Sequence, residues 1–192
     1  MNKIINSDAL DALRKLPDSC CRTCITSPPY YGLRDYGADG QIGLENTPDR
    51  DIENLVRIFR EVHRVLKDDG TLWVNIGDSY AASGKGRNRD GVFNEKAENI
   101  QSARQKKSQI RRTTEGNGLK RKDLIGIPWL LAFALRADGW YLRLDIIWQK
   151  PNAMPESVKD RPTRAHGYIF LLSKSSRYYY VAEAVKEPAV GF

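Results

Sequence analysis

Helix-type and strand-type apolar patterns alternate along this chain, and that alternation restricts the folds open to it. In the N-terminal part the patterns predict helices over residues 8–15 and 51–66 and strands over residues 21–26 and 71–76. Gly70 follows two aspartates and is predicted to end the second helix as a left-handed cap residue. Strands that alternate with helices are typical of a layered α/β sheet.

The same alternation resumes towards the C-terminus. Residues 123–137 predict a helix, residues 140–148 a strand, and residues 167–173 and 178–181 two further strands joined as a hairpin. Residues 149–164 are polar and rich in proline, which predicts a loop. We therefore expect an α/β fold whose sheet ends in a C-terminal β-hairpin.

Residues 84–122 carry the excess positive charge of the chain. They contain twelve Lys or Arg and four acidic residues, a net charge of +8, whereas the whole chain has a net charge of +7. The stretch has few apolar residues, which predicts an insertion between two parts of one domain, residues 1–83 and 123–192. Two interpretations stay open, a solvated surface loop and a segment that contacts nucleic-acid phosphates. The predicted DNA contacts are Arg87, Arg89, Arg104, Lys106, Lys107, Arg111, Arg112, Lys120, Arg121 and Lys122.

Cysteine usage and hydropathy predict an intracellular, cytoplasmic protein. The three cysteines, Cys20, Cys21 and Cys24, are an odd number within five positions, which does not fit a disulfide framework. A second cysteine pair is missing, so no metal site is predicted. No apolar run reaches the roughly 20 residues that a membrane helix needs, and no signal peptide is predicted.

The residues after the first predicted strand are the candidate catalytic residues. Ser27, Pro28, Pro29 and Tyr30 follow a strand end, where α/β sheets bind ligands. Consecutive prolines fix φ and remove two backbone donors, so the carbonyls of Ser27 and Pro28 are held rigid beside an aromatic ring. Such an arrangement can stack on a planar base and accept both hydrogens of its exocyclic amine, which would activate a poorly nucleophilic nitrogen. A base must leave the duplex to reach such a site.

Residues 26–30 resemble the catalytic motif of DNA amino-methyltransferases. Further blocks at residues 6–10, 16–18, 64–78, 145–152 and 169–174 resemble that family in the same order. The resemblance implies a three-layer, Rossmann-like sheet and methyl transfer from S-adenosylmethionine to a flipped base in double-stranded DNA, as in restriction–modification systems. It also implies that Ser27, Pro28, Pro29 and Tyr30 are catalytic, and that Asp8, Ala9 and Ser27 face the cofactor. Ser27 at the first motif position favours cytosine N4 over adenine N6.

The order of the blocks resembles the permuted, β-type arrangement, in which the catalytic half comes first. The glycine-rich cofactor loop of that family is not found downstream of Tyr30, so we expect the cofactor-binding half to be missing and the sheet to be incomplete. The resemblance then implies weak cofactor binding by this chain alone, and a homodimer or a second chain that completes the sheet. An inactive, truncated DNA-binding remnant is the alternative.

Deleting residues 84–122 should weaken binding to double-stranded DNA and flatten its dependence on salt. Each phosphate contact that is lost lowers the slope of log affinity against log salt by about 0.9. Fluorescence anisotropy with a labelled duplex at several salt concentrations measures that slope. An unchanged slope would show that the stretch is a solvated loop without phosphate contacts.

Overall fold

Four strands form one open, mixed sheet in this computed structural model, which describes residues 3–81 and 118–187. The strands are β1 (Cys21–Thr26), β2 (Leu66–Ile76), β3 (Tyr141–Gln149) and β4 (His166–Ser173), and their order in the sheet is β1-β2-β4-β3. β1 pairs with β2 in parallel, whereas β4 is antiparallel to both β2 and β3. The predicted α/β sheet is confirmed, with β1 at one edge and β3 at the other edge of the described sheet.

Three α-helices accompany the sheet in the described ranges: α1 (Ala9–Arg14), α2 (Pro48–Val65) and α3 (Ile127–Ala137). The hydroxyl of Thr47 accepts a hydrogen bond from Arg50 N and so caps α2, which begins three residues before the predicted start. α3 begins four residues later than predicted because Gly126 precedes it in the left-handed conformation, with φ of 84°. A short 3-10 helix spans Ala182–Val185.

Alternate residues of the central strands form the core on the side of the helices. Leu72, Val74 and Phe170 lie there, packed with apolar side chains of α2 and α3 such as Phe59 and Leu131. This alternation follows from the period of two along a strand, which sends neighbouring side chains to opposite faces. The described residues therefore supply the sheet and one helical layer.

The opposite face of the sheet carries apolar side chains that the described residues leave uncovered. Ile25 is 78% exposed, Leu144 52% and Trp148 55%. Trp73 pairs with Leu171 across β2 and β4 and contributes to the same face. A layer on this face would complete the three layers expected from the sequence.

Two local predictions are wrong. Gly70 does not cap a helix, because α2 ends at Val65 and Gly70 lies inside β2. A Cβ atom there would lie 2.8 Å from Lys67 O and 3.1 Å from Arg22 O, so a close approach of backbone, and not a left-handed φ, requires this glycine.

The predicted strand over residues 178–181 does not form either. β4 already has β2 on one side and β3 on the other, so neither of its edges is open to a hairpin partner. Residue Tyr179 instead donates its backbone N–H to Asp69 O, and the guanidinium of Arg22 lies over its ring. The C-terminal β-hairpin of the sequence prediction is replaced by the pairing of β3 with β4 across a longer connection.

None of the helices within residues 3–81 and 118–187 is long and apolar enough to cross a membrane.

Replacing Leu72 by alanine should destabilise the fold strongly, because its side chain is fully buried in the core. Cavity formation at such a position costs about 2–5 kcal/mol of unfolding free energy. Leu144→Ala in β3 is the matched control, since that side chain is half exposed, and it should cost less than about 1 kcal/mol. Urea unfolding followed by circular dichroism measures both, and equal losses would contradict the assignment of the core face.

Candidate active site at the strand ends

The topology brings four chain segments together at one edge of the sheet. β1, β2 and β3 run in the same direction, so their C-terminal ends meet at this edge, and antiparallel β4 begins there. The loop 27–30 leaves β1, Gly77 and Asp78 follow β2, and Lys150 follows β3. Such an edge is where open α/β sheets place their ligand sites.

Two adjoining cavities open at this edge. The first has a volume of about 280 Å³ and combines aromatic and charged side chains. The second, of about 290 Å³, is mostly apolar and lies on the uncovered face. Asn75 and Trp148 line both, while Tyr30 lines the first and Ser27 the second. Their combined volume lies within the range of small-molecule sites.

Tyr30 stands in the first cavity with its ring against the backbone of Gly77. A Cβ atom on Gly77 would lie 2.6 Å from Tyr30 Cδ2 and Cε2, so only glycine admits the ring. The Tyr30 hydroxyl donates to Asn75 Oδ1 at 3.3 Å and accepts from the Ser27 hydroxyl at 3.5 Å. The ring is therefore fixed in both position and orientation.

The carbonyls of Ser27 and Pro28 are available as acceptors. Within residues 3–81 and 118–187, no N–H or O–H group donates a hydrogen bond to either oxygen. The prolines supply no N–H of their own, as the sequence indicated. The two carbonyls immediately before Tyr30 in the chain are therefore free to accept hydrogen bonds from a ligand.

The residues behind the loop hold it in place. Tyr31 is buried in the core, and its carbonyl accepts a hydrogen bond from the Ser79 hydroxyl at 2.8 Å. Gly32 donates its N–H to the carbonyl of Gly43 at 2.7 Å. The motif is thus tied both to the loop that follows β2 and to the segment that precedes α2.

Asp78 joins the loop after β2 to the start of α3. Its Oδ1 accepts hydrogen bonds from the backbone N–H groups of Ser79, Gly126 and Ile127, at 2.9, 2.9 and 3.0 Å. Because two of these donors are the first free N–H groups of α3, the carboxylate stabilises the helix start. Asp78 therefore both lines the first cavity and fixes the chain on either side of residues 82–117.

Sequence reasoning missed the part of the cavity that comes from the proline-rich loop and β4. Lys150, Glu156, Arg164 and His166 line it, together with Trp148. Their position near the end of β3 and the start of β4 was the available signal, because both strand ends lie at the edge where the cavities open. The chain's pattern did not reveal that β3 runs parallel to β2.

Glu156 organises that proline-rich loop. Its carboxylate accepts hydrogen bonds from Arg161 Nη1 at 2.5 Å and from Arg164 N at 3.4 Å. The hydrogen bond from Arg161 lowers the pKa of Glu156 below its ordinary value. Arg161 also lies over the ring of Tyr80, 4.2 Å from its centroid, so the loop is attached to the segment after β2.

Other predicted site residues lie elsewhere. Asp8 caps α1, accepting hydrogen bonds from Leu10 N and Asp11 N, and neither it nor Ala9 lines the two cavities. Lys120, Arg121 and Lys122 are exposed, and Lys122 forms an ion pair with Asp160. The remaining predicted DNA contacts, Arg87, Arg89, Arg104, Lys106, Lys107, Arg111 and Arg112, lie outside the described residues.

A family model described as DNA methylase matches residues 21–190 of this chain. Type II methyltransferase M.Cfr9I of Citrobacter freundii is 55% identical over 188 residues, covering 96% of this chain and 58% of the relative. Type II methyltransferase M.SmaI of Serratia marcescens is 54% identical, covering 97% of this chain and 61% of the relative. The chain therefore spans about three fifths of the length of these relatives.

Solved structures show the same fold. The PvuII DNA methyltransferase, titled cytosine-N4-specific, superposes with a TM-score of 0.57 at 15% identity, covering 90% of this chain and 49% of that one. A putative DNA modification methylase from Thermus thermophilus, complexed with S-adenosyl-L-methionine, superposes with a TM-score of 0.56 at 22% identity, covering 92% of this chain and 57% of that one.

Gly77→Ala should destabilise the protein and displace Tyr30, because the new methyl group would overlap the ring. Overpacking of this kind costs about 1–3 kcal/mol. Gly167→Ala is the matched control in the same cavity, since its nearest atom, Lys150 Cε, would lie 3.9 Å away, and it should change stability by less than about 0.5 kcal/mol. Urea unfolding measures both, and equal effects would contradict the tight packing of Tyr30 on Gly77.

Proposed function

Because this chain belongs to the DNA methylase family, we propose that its strand-end cavities form the target-base site of a DNA methyltransferase acting on an exocyclic amine. The methyl donor is S-adenosylmethionine, and cytosine N4 is the favoured target over adenine N6. Ser27, Pro28, Pro29 and Tyr30 are the catalytic residues of this proposal.

One observation carries the proposal: the carbonyls of Ser27 and Pro28, which accept no hydrogen bond among the described residues, immediately precede Tyr30, whose ring is fixed against Gly77 and Asn75. A flipped base that stacks on Tyr30 would direct its amine towards those carbonyls. Both amine hydrogens would then find acceptors, and the nitrogen lone pair would be less conjugated with the base ring. The acceleration is electrostatic and orientational, because the acceptors are already positioned before the reaction.

The described residues fit the methyl donor at the second cavity. Ser27 lines it, and Ile25, Trp73 and Ile169 make it apolar, which suits a sulfonium methyl group kept away from water. When bound there, S-adenosylmethionine would supply the methyl group from its sulfonium and become the neutral thioether, while the amine nitrogen gains the methyl group and gives up one of its hydrogens as a proton to solvent. Asp8 and Ala9 stay proposed cofactor contacts.

Ser27 supports cytosine as the target through its resemblance to the cytosine-N4 form of the motif. The hydroxyl of Ser27 donates to Tyr30, so its own lone pairs are left to accept from the target amine. An aspartate at this position would bring a negative charge to the amine, whereas serine offers only neutral acceptors. The proposal therefore commits to N4-methylcytosine as the product.

Double-stranded DNA is the proposed substrate and binding partner. The net charge of +8 in residues 84–122 matches a phosphate backbone. Lys120 and Arg121 are exposed at the C-terminal end of that stretch. A second chain or a second copy is the proposed partner for the uncovered face and for the outer edge of β1, where Ile25 is exposed.

Transfer of a tritiated methyl group from S-adenosylmethionine to mixed-sequence duplex DNA tests the activity. Digestion to nucleosides then separates N4-methylcytosine from N6-methyladenine by chromatography. Label in N4-methylcytosine supports the full proposal, and label in N6-methyladenine overturns the choice of base. DNA binding without any transfer would favour the inactive remnant.

Ser27→Ala should lower methyl transfer by about 10²–10³-fold, as loss of one preorganised polar group does at comparable sites. Tyr30→Ala removes the ring on which the flipped base would stack and should also lower the rate strongly. Both variants should still fold, since Ser27 is exposed and Tyr30, although packed on Gly77, is only partly buried. Tyr36→Ala is the matched control, because that ring is 61% exposed in the following segment and should not change the rate. Rates within twofold of wild type for both site variants would contradict the assignment of Ser27 and Tyr30 as catalytic residues.

A further inference from the structure

A buried carboxyl group lies behind the catalytic loop and takes no part in the proposed reaction. Asp51 belongs to the first turns of α2 and is 0% exposed. Neither of its carboxylate oxygens has a hydrogen-bond partner in the part of the chain that the structure describes. An orphaned buried carboxylate is costly, so this group requires a physical explanation.

The neighbouring carboxyl group, that of Glu45, is fully engaged. Its Oε2 accepts a hydrogen bond from Gly43 N and its Oε1 accepts one from Asn54 Nδ2, both at 2.8 Å. Two N–H donors stabilise the ionised form of a carboxylate. Glu45 thus has two N–H donors, whereas the carboxylate oxygens of Asp51 have no hydrogen-bond partner among the described residues, so Asp51 is the member that gains from holding a proton.

We propose that protonated Asp51 is a positioning residue for the Ser27–Tyr30 loop: it donates a hydrogen bond to Glu45 and thereby keeps Glu45 on the N–H of Gly43. If both carboxyl groups were ionised, they would have no proton to share and would repel each other. The effect of Asp51 on methyl transfer rests on the function proposed above.

Gly43 transmits this arrangement to the loop. Its carbonyl accepts the N–H of Gly32, two residues after Tyr30. A Cβ atom on Gly43 would lie 3.2 Å from Pro29 Cβ and 3.3 Å from Tyr30 O, so its backbone is packed directly against the motif. Movement of Gly43 would therefore shift the residues that hold the target base.

The electrostatic surroundings agree with this geometry. Burial, together with the nearby carboxylate of Glu45, raises the pKa of Asp51 to about 8. Glu45 is the titratable group that faces Asp51. No Lys, Arg or His within residues 3–81 and 118–187 forms an ion pair with either carboxyl group.

The sign of the pH dependence follows from the direction of this shift. The folded protein binds the proton of Asp51 more tightly than the unfolded chain, whose aspartate has an ordinary pKa of 3.8. The stabilisation by that proton is complete below pH 3.8 and is lost as the pH rises towards 8. Between those limits the unfolding equilibrium constant should rise about tenfold per pH unit relative to a variant without the carboxyl group.

Asp51→Asn is the decisive variant, because asparagine imitates a neutral aspartic acid and can donate to Glu45 at every pH. The readout is the amide resonances of Gly43 and Gly32 in the ¹⁵N-labelled full chain, followed from neutral to alkaline pH. In the wild type these resonances should shift with a midpoint near pH 8, and in Asp51→Asn they should not titrate. Absence of any shift in the wild type would overturn the proposal.

Glu45→Gln is the second variant, and it tests the coupling of the two carboxyl groups even if Asp51→Asn fails to fold. Removing the negative charge of Glu45 removes one cause of the raised pKa of Asp51, so the midpoint should move to lower pH. A midpoint that stays in place would show that the two carboxyl groups are not coupled and would overturn the proposal.

Methyl transfer under saturating DNA and cofactor gives the functional readout. About a tenth of the molecules retain the proton one pH unit above the midpoint, so the wild-type kcat should fall about tenfold between about pH 7 and about pH 9. The same change should be less than about twofold in Asp51→Asn. No transfer at any pH would refute the proposed function alone, since the amide titration reports the carboxyl pair independently of catalysis.

Discussion

The parallel pairing of β1 with β2 is the constraint on which the site depends. Its register sets Thr26 opposite Val74, so β2 extends only two residues beyond the end of β1 and the loops after both strands leave the same edge of the sheet. Tyr30 consequently meets Gly77, and the fit is so close that a single methyl group on Gly77 would overlap the ring. The antiparallel attachment of β4 to the other side of β2 then adds the start of β4 and the end of β3 to the same edge. Strand direction, more than any one side chain, determines which groups line the cavities proposed to hold the target base.

Most elements of the fold were predictable because their patterns are local. β1 has the predicted bounds, and the apolar spacing of α2 and α3 identified both helices within a few residues. Gly70 was misread because a glycine after two aspartates is a common helix end, and only the nearby carbonyl of Arg22 shows why β2 needs it. Tyr178 and its neighbours have the composition of a strand, but β4 had no free edge for them. Those two features depend on contacts between segments far apart in sequence, which a local pattern does not record.

The site residues also fall into those that local sequence predicts and those that depend on contacts between distant segments. The sequence predicted the Ser27–Tyr30 loop from two prolines and an aromatic ring, since their effect on backbone donors is local. It did not predict Trp148 or Lys150, whose place in the cavity depends on the direction of β3. Asp51 escaped notice for a related reason: an aspartate in the first turn of a helix is ordinary in sequence, and only burial beside Glu45 makes it unusual. The roles of Asp8, Ala9 and the basic insertion stay predictions.

The two chain ends that flank residues 82–117 meet in a narrow stem. Ala81 exchanges backbone hydrogen bonds with Lys122 and Asp123, and Ile125 N donates to Ser79 O. When a segment leaves and re-enters a domain through such a stem, its length has little effect on the free energy of folding. Doubling the length adds only about 0.6 kcal/mol of loop-closure entropy. Its length and sequence can therefore diverge without altering the cavity that Asp78 lines on the described side of the stem. In evolutionary terms, the segment proposed to contact DNA can change its preferences while the part proposed to hold the base stays as it is.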